Sequence, residues 1–510
     1  MTTAIAYSAT IIGLDAFIIT VETDVSFGLG SFNIVGLPDG TIKESRDRIS
    51  AALKNTGDRF PIRKIVVNLA PADIKKIGTG FDLPIALAIL EASEVIPRKS
   101  LREVLFIGEL SLEGKLRPIS GILSVAISAK KAGFKTIVVP SKNGPCAALV
   151  EGLDVYVAES LQEIVRFCQD GTGLRLQTRV TNYFDGDGTQ YHDFSDVRGQ
   201  ETAKRCLEIA ASGRHNVLVS GPPGAGKSML AKRFPGILPE LDFDEALEAT
   251  KIYSLTNPVD QDITLLSQRP FRSPHHSISS AGLIGGGNIP KPGEVSLAHH
   301  GVLFLDELPE FSRSVLELLR QPLEDKEVTI SRAKISLLFP SDFILLAAMN
   351  PCPCGFLGHS GKECRCSASV IIKYRSKISG PLMDRIDLQV EMSAVSYQDL
   401  NFSKRGESTK DIRIRVSNAD IIQKQRFHGS KTRYNSNMTR KEMENFCSLN
   451  VEGHDLLSSA LEKYRLSGRA HDSILKVART IADLEASNSI ESWHLAEAIG
   501  YRCFDKELQL

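Results

Sequence analysis

The sequence predicts a multidomain α/β protein, and three observations carry that prediction. At 510 residues the chain is too long for one hydrophobic core, so two to four domains are expected. Strand-like β-branched runs alternate with helix-patterned runs over most of the first 395 residues. A stretch rich in Gly, Asp and Thr, residues 169–195, lacks a sustained period and reads as a linker. The expected domains are therefore 1–168, 196–395 and 396–510, the last mostly helical in pattern. Formal net charge is zero, so a nucleic-acid site would have to be a local patch. Apolar runs such as Leu83–Leu90 fall far short of a bilayer span, and no membrane segment is expected. No signal peptide is expected either, because Asp15 and Glu22 interrupt the first apolar stretch and the first basic residue is Lys43. Nine cysteines, an odd number, read as reduced thiols in a cytoplasmic protein.

Taken in order, "AFIITVETDVSF" and "RKIVVNLAPADI" carry the β-branched runs of strands. "IKESRDRISAALKNTG" has the pattern of an amphipathic helix that stops at Gly57. In the second domain, "NVLVSGPPGAGKSML" sets a strand, Val217–Val219, before the loop Gly221, Pro222, Pro223, Gly224, Ala225, Gly226, and a helix-competent run from Lys227 and Ser228 after it. Glycines let the backbone N–H groups wrap phosphates at a helix N-terminus. Lys227 is expected to reach the β- and γ-phosphates of ATP, and Ser228 to offer an oxygen to Mg²⁺. The bland alternative is a glycine turn without a ligand.

Next, "GVLFLDELPEF" delivers Asp306 and Glu307 at the end of an apolar strand, Val302–Leu305. Beside a phosphate loop, Asp306 is the expected Mg²⁺ ligand and Glu307 the group that polarises the attacking water. An acidic turn after a core strand is the simpler alternative. A third strand, "FILLAAMN", ends at Asn350, whose amide can orient that water or merely form a turn. Arg385 in "GPLMDRIDLQV" and Arg469 in "LSGRAHDSIL" can stabilise phosphoryl-transfer charge or sit in surface ion pairs.

Directly after Asn350, Cys352, Cys354, Cys364 and Cys366 read C-x-C, nine residues, C-x-C. Two close pairs on a glycine-containing loop can converge on a structural Zn²⁺ through four thiolates, although each pair is tighter than the common C-x-x-C. Free thiols, disulfides and an iron–sulfur cluster are the alternatives.

In this order the motifs resemble the AAA+ ATPase module. The region "FRSPHHSISSAGLIGGGNIPKPGEVSLAHHGVLFLDELPEF" resembles its Mg-chelatase-like branch, in which an insert interrupts the second helix. With "VGLPD", "SPHHSIS", "MNPCPCG" and "LSGRAHD", nearly the full chain resembles the ComM/YifB family. The resemblance implies a hexameric ring that translocates on DNA and drives branch migration during natural transformation, with a helical C-terminal lid. It implies that Arg385 is a trans-acting finger, Arg469 the lid's sensor arginine and Asn350 the first sensor. It leaves room for a recombinase or loading partner without identifying one. The N-terminal domain resembles the Lon proteolytic domain, in the ribosomal-S5-domain-2-like fold. Gly80 stands at the nucleophile's place and Leu123 at the lysine's, so neither catalytic group of that protease is present.

For such a motor, the hairpin-patterned "EVTISRAKISLLFP" puts Arg332 and Lys334 near its tip, where they are expected to meet single-stranded or branched DNA through its phosphates. A solvent-facing hairpin end is the alternative. Gly285–Gly287 suggest a flexible loop inside the insert, and His275 and His276 read as structural. Ile421–Lys441 interleaves Phe427 and Tyr434 with six basic residues, which suits single strands or an exposed basic face. The competing reading is an ATPase that remodels a protein partner without acting on DNA. An ATP-dependent protease comes third.

Overall fold

Burial alternates along Asp15–Ser26, which makes this segment one strand of a sheet with a single core-facing side. Residues 3–56, 61, 63–178, 192–256, 265–287, 290–332, 335–359, 361–394 and 406–502 are described in this computed structural model, the side chains of Arg332 and Ile335 excepted. They form two units, Met1–Gly186 with Phe243–Ser267, and Asp187–Asp242 with Gln268–Leu510.

In the first unit the strands of the main sheet are β1 (Thr3–Ile12), β2 (Asp15–Ser26), β3 (Ser31–Val35), β4 (Lys64–Ala70), β5 (Val104–Phe106), β6 (Thr136–Pro140), β7 (Asp154–Ala158) and β8 (Arg175–Leu176). Their order is β8-β7-β6-β5-β1-β2-β4-β3. Register fixes the inner face: Val21 pairs with Ala6 on one side and Leu69 on the other, and all three are fully buried. Helix Gly40–Asn55 starts at Asp39, whose carboxylate accepts the Ile42 N–H, and turns Ile42, Ile49, Ala52 and Leu53 to the core. Helix Asp82–Ala92 is buried at every residue, and its one carboxylate at the start, Asp82, is held by Arg48 at 2.7 Å. Beside Gly80 a side chain has little room, because a Cβ there would lie 3.1 Å from Ile107 Cγ1. Leu123 is fully buried, while Lys130 and Lys131 are exposed.

In the second unit the central strands are β9 (Val217–Ser220), β10 (Phe271–Arg272), β11 (Val302–Leu305), β14 (Ile344–Met349) and β15 (Leu388–Glu391), all parallel in the order β10-β11-β14-β9-β15. A separate antiparallel hairpin, β12 (Glu327–Arg332) and β13 (Ile335–Pro340), lies between β11 and β14 in the chain. Every residue of β9, β11 and β14 is buried, as parallel strands covered on both faces require. Each such Val, Leu or Ile contributes roughly 1.5–3 kcal/mol by leaving water. Gly301 lets β10 close on β11, since a Cβ there would lie 2.0 Å from the Pro270 carbonyl oxygen. Helices Glu201–Gly213, Thr409–Arg426 and Gly468–Leu484 share one apolar core with this sheet.

Several expectations need correction. Residues 169–195 are not linker throughout: β8 joins the first sheet and Phe194 is fully buried in the second core, while 179–191 lie outside the described residues. Helix Phe243–Thr256, expected inside 196–395, belongs to the first unit, where Lys251 pairs with Asp15 at 2.9 Å and the Gly121 N–H donates to the Ser254 carbonyl at 3.0 Å. Gly285–Gly286 is not a free loop but pairs with Lys291–Pro292 in a small hairpin behind helix Ser280–Ile284. Phe427 and Tyr434 are core residues at 4% and 5% exposure, so they offer no stacking face for bases. Gly57, Ala333, Lys334 and the boundary at 395/396 fall outside the described residues.

Candidate nucleotide site

Because β9, β14 and β11 are adjacent and parallel, the residues that follow them emerge together at the carboxyl edge of the sheet. β9 runs into the phosphate loop, β14 into Asn350 and β11 into Asp306 and Glu307. Gly224 and Gly226 have φ of +81° and +93°, a conformation that glycine adopts at little cost. Nothing lies within 4 Å of where a Cβ on Gly224 would stand, and Gly226 caps helix Lys227–Arg233. The backbone path therefore leaves space in front of the loop, at a helix start. Gly221 has the opposite reason for being glycine: a Cβ would lie 2.7 Å from the Met392 carbonyl oxygen.

Lys227 Nζ donates to the carbonyls of Gly221 at 2.5 Å and Pro222 at 3.0 Å, and to Asn350 Oδ1 at 3.0 Å. Burial pushes its pKa below the usual lysine value, while Asp306 and Glu307 act in the other direction. Ser228 Oγ donates to Asp306 Oδ2 at 2.6 Å, which places a hydroxyl and a carboxylate as an oxygen pair suited to Mg²⁺. Glu307 follows with φ +53°, left-handed for a non-glycine residue, and its carboxylate is more than half exposed. His276 Nδ1 lies 3.8 Å from Glu307 Oε2, so this histidine borders the site, a placement that no local sequence signal gave.

Arg385 and Arg469 are elsewhere, and together. Both reach Glu324: Arg385 Nη2 meets one carboxylate oxygen and Arg469 Nη2 lies 3.7 Å from the other. They line a cavity of about 460 Å³ with Arg214, Lys326, Lys431 and Lys476, and no phosphate-loop residue lines it. Asn216, the residue before β9, donates from Nδ2 to the Arg385 carbonyl at 2.9 Å, which fixes this cavity at the amino edge of the sheet. A four-residue parallel strand is about 13 Å long, so β9 separates the arginines' edge from the phosphate loop.

Asp387 closes the inner side of that cavity. Burial alone would raise its carboxyl. His215, 3.5 Å away, the Ser473 hydroxyl at 2.7 Å and the Asn216 N–H at 3.1 Å outweigh burial and hold it at about 2. A carboxyl held below its unfolded value of about 3.9 stabilises the fold above that pH and stops doing so as pH falls through its folded value. Urea unfolding should therefore show roughly 2 kcal/mol lost between about pH 4 and pH 2 in the wild type. Asp387→Asn should lack that acid-dependent component.

The four cysteines converge. Cys352 Sγ lies 3.3 Å from Cys354 Sγ and 3.7 Å from Cys364 Sγ, Cys354 and Cys364 are 3.6 Å apart, and all four sulfurs including Cys366 lie within 4.8 Å of one another. Four thiolates at Zn–S distances of about 2.3 Å would have sulfurs about 3.8 Å apart. Backbone hydrogen bonds from Phe356 and Arg365 draw the Cys354 thiol down to about 6, while the neighbouring cysteine sulfurs push Cys364 and Cys366 up.

Comparison with known proteins gives the family of the chain. Residues 193–400 match the family model for magnesium chelatase, subunit ChlI; 21–143 match that for subunit ChlI of Mg-chelatase; 406–502 match that for the ChlI C-terminal region. The chain is 43% identical to competence protein ComM of Haemophilus influenzae, covering 100% of this chain and 99% of that protein. It is 42% identical to YifB of Escherichia coli, covering 100% and 98%. A weaker match, 27% over 29% of this chain and 20% of the relative, is to Lon protease of Brevibacillus choshinensis. Among the described residues no helix is long and apolar enough to cross a membrane.

Proposed function

Since the chain belongs to the magnesium chelatase ChlI family of AAA+ proteins, in its ComM/YifB branch, we propose that it is an ATPase whose hydrolysis drives translocation on DNA and branch migration. Lys227 holds the β- and γ-phosphates, Ser228 and Asp306 hold Mg²⁺, Asn350 orients the attacking water and Glu307 polarises it. Bound Mg²⁺ supplies charge neutralisation of the phosphates.

One observation carries the assembly: Arg385 and Arg469 share a cavity at the edge of the sheet opposite Lys227 and Asp306. Neither arginine serves the nucleotide of its own chain, and a second copy brings both to it. Repeated head to tail, that contact closes a ring, which we assign as a homohexamer with the helices after residue 406 as its lid. The segment 278–295 is the insert of the module's second helix. In the first unit Gly80 and Leu123 leave no nucleophile and no lysine, so we assign it no proteolysis and a scaffold role. The four cysteines hold a structural Zn²⁺.

A relative named as a competence protein favours DNA as the polymer. The hairpin β12–β13 follows Asp306 and Glu307 in the chain and precedes Asn350, so nucleotide-dependent movement can reach its tip, where Arg332 and Lys334 meet phosphates. Single-stranded and branched DNA should accelerate ATP turnover, and Arg332→Ala with Lys334→Ala should remove that acceleration. Turnover indifferent to DNA would move the reading to a protein partner.

A further inference from the structure

We infer that the four-cysteine segment is a metal-dependent clamp on the phosphate loop. This rests on the ATPase reading above and adds to it a reason for the metal's position. The segment 352–366 has little apolar core of its own: among its described residues only Cys352 and Gly355 are buried. Its internal backbone bonds are short-range turns, Gly355 N–H to the Cys352 carbonyl at 2.9 Å and His359 N–H to that of Phe356 at 3.2 Å. A loop with so little buried surface gains its shape from a metal that ties its two ends, Cys352–Cys354 and Cys364–Cys366.

What that shape presses on is the nucleotide site. Gly355, φ +81°, passes so close to the loop that a Cβ on it would lie 2.6 Å from Pro223 Cδ and 2.8 Å from Pro223 Cγ. The same point is 3.9 Å from Asn350 Cγ, and Asn350 is the residue that accepts from Lys227. Cys352 stands two residues after Asn350, so the first metal ligand is tied by a short backbone link to the end of β14. Arg375, beyond the segment, donates from Nε to the Pro351 carbonyl at 3.3 Å and holds the near end from the other side. Leu357, Gly358 and His359 also face Ser220, Gly221 and Pro222 across a recess of about 570 Å³. The clamp therefore touches the loop at Pro223 and flanks its entry from β9. With the metal gone, Pro223 and Asn350 lose a rigid neighbour, and displacement of catalytic groups by about 1 Å costs on the order of 100-fold in rate.

The test uses the full-length protein, with metal content by atomic emission, affinity for a fluorescent ATP analogue and ATP turnover measured on the same samples. Wild type should hold one zinc per chain. Cys364→Ser with Cys366→Ser should lose zinc and about 100-fold in turnover, while the thermal unfolding transition of the rest of the chain persists. Gly355→Ala separates contact from metal: it should keep zinc and still weaken nucleotide binding or turnover, because the added methyl group meets Pro223. A zinc-free double variant that binds and turns over ATP like wild type overturns the clamp, and so does wild type purified without stoichiometric metal. A wild type that binds no ATP would instead overturn the ATPase reading itself.

Discussion

Replacing Arg385 with alanine is expected to lower ATP turnover by roughly 10³-fold or more while each chain still binds ATP. The expectation follows from where the side chain sits. Its backbone is tied to Asn216 at the amino edge of the sheet, and its guanidinium is held by Glu324 and by the Pro381 carbonyl, 2.7 Å from Nη1. The phosphate loop leaves β9 at the other end. On the proposed ring, removing Arg385 takes nothing from the pocket of the same chain and should take the stabilising charge from the neighbour's γ-phosphate. Mixing supplies the check. Arg385→Ala and Lys227→Ala should each be inactive alone. If the chains assemble as proposed, mixed rings would contain interfaces with an intact Lys227 from one chain and an intact Arg385 from the next, so turnover should reappear. A mixture as inactive as its parts would place the arginine's action within one chain.

Glu307→Gln should reduce turnover by about 10²–10⁴-fold with ATP binding preserved. The amide keeps the size of the side chain and its place at the end of β11, but it cannot take a proton from water. Ser228 and Asp306 remain paired at 2.6 Å, so the metal position survives the change. Single-turnover hydrolysis alongside fluorescent-nucleotide binding separates the two effects. Weakened binding with unchanged turnover would reassign Glu307 to positioning the nucleotide.

The candidate nucleotide site is legible in the sequence because its parts are local. Gly221–Ser228 is one loop, and Asp306–Glu307 and Asn350 each end a strand whose apolar run marks it in the sequence. What brings them together is strand order, which those runs do not contain. Arg385 and Arg469 show the limit more clearly. They are far apart in sequence, and their meeting at Glu324 depends on helix Gly468–Leu484 packing at the amino edge of the sheet, where Ser473 bonds Asp387. Phe427 and Tyr434 misled because aromatics among basic residues look alike whether they stack on bases or fill a core. Here Arg426 pairs with Asp483 and the Arg214 guanidinium covers Tyr434 at 4.9 Å, so these cations serve the interior. Helix Phe243–Thr256 lies inside the 193–400 family match yet packs with the first compact unit, a long-range contact that sequence adjacency does not show.

ATP-dependent strand exchange on a three-stranded branched DNA substrate, comparing wild type with Glu307→Gln, shows whether ATP hydrolysis moves DNA branches. Wild type should move the branch, and the variant should bind the same DNA and stall. Steady ATP hydrolysis by wild type with no movement of the branch would contradict the proposed function and leave a protein as the substrate.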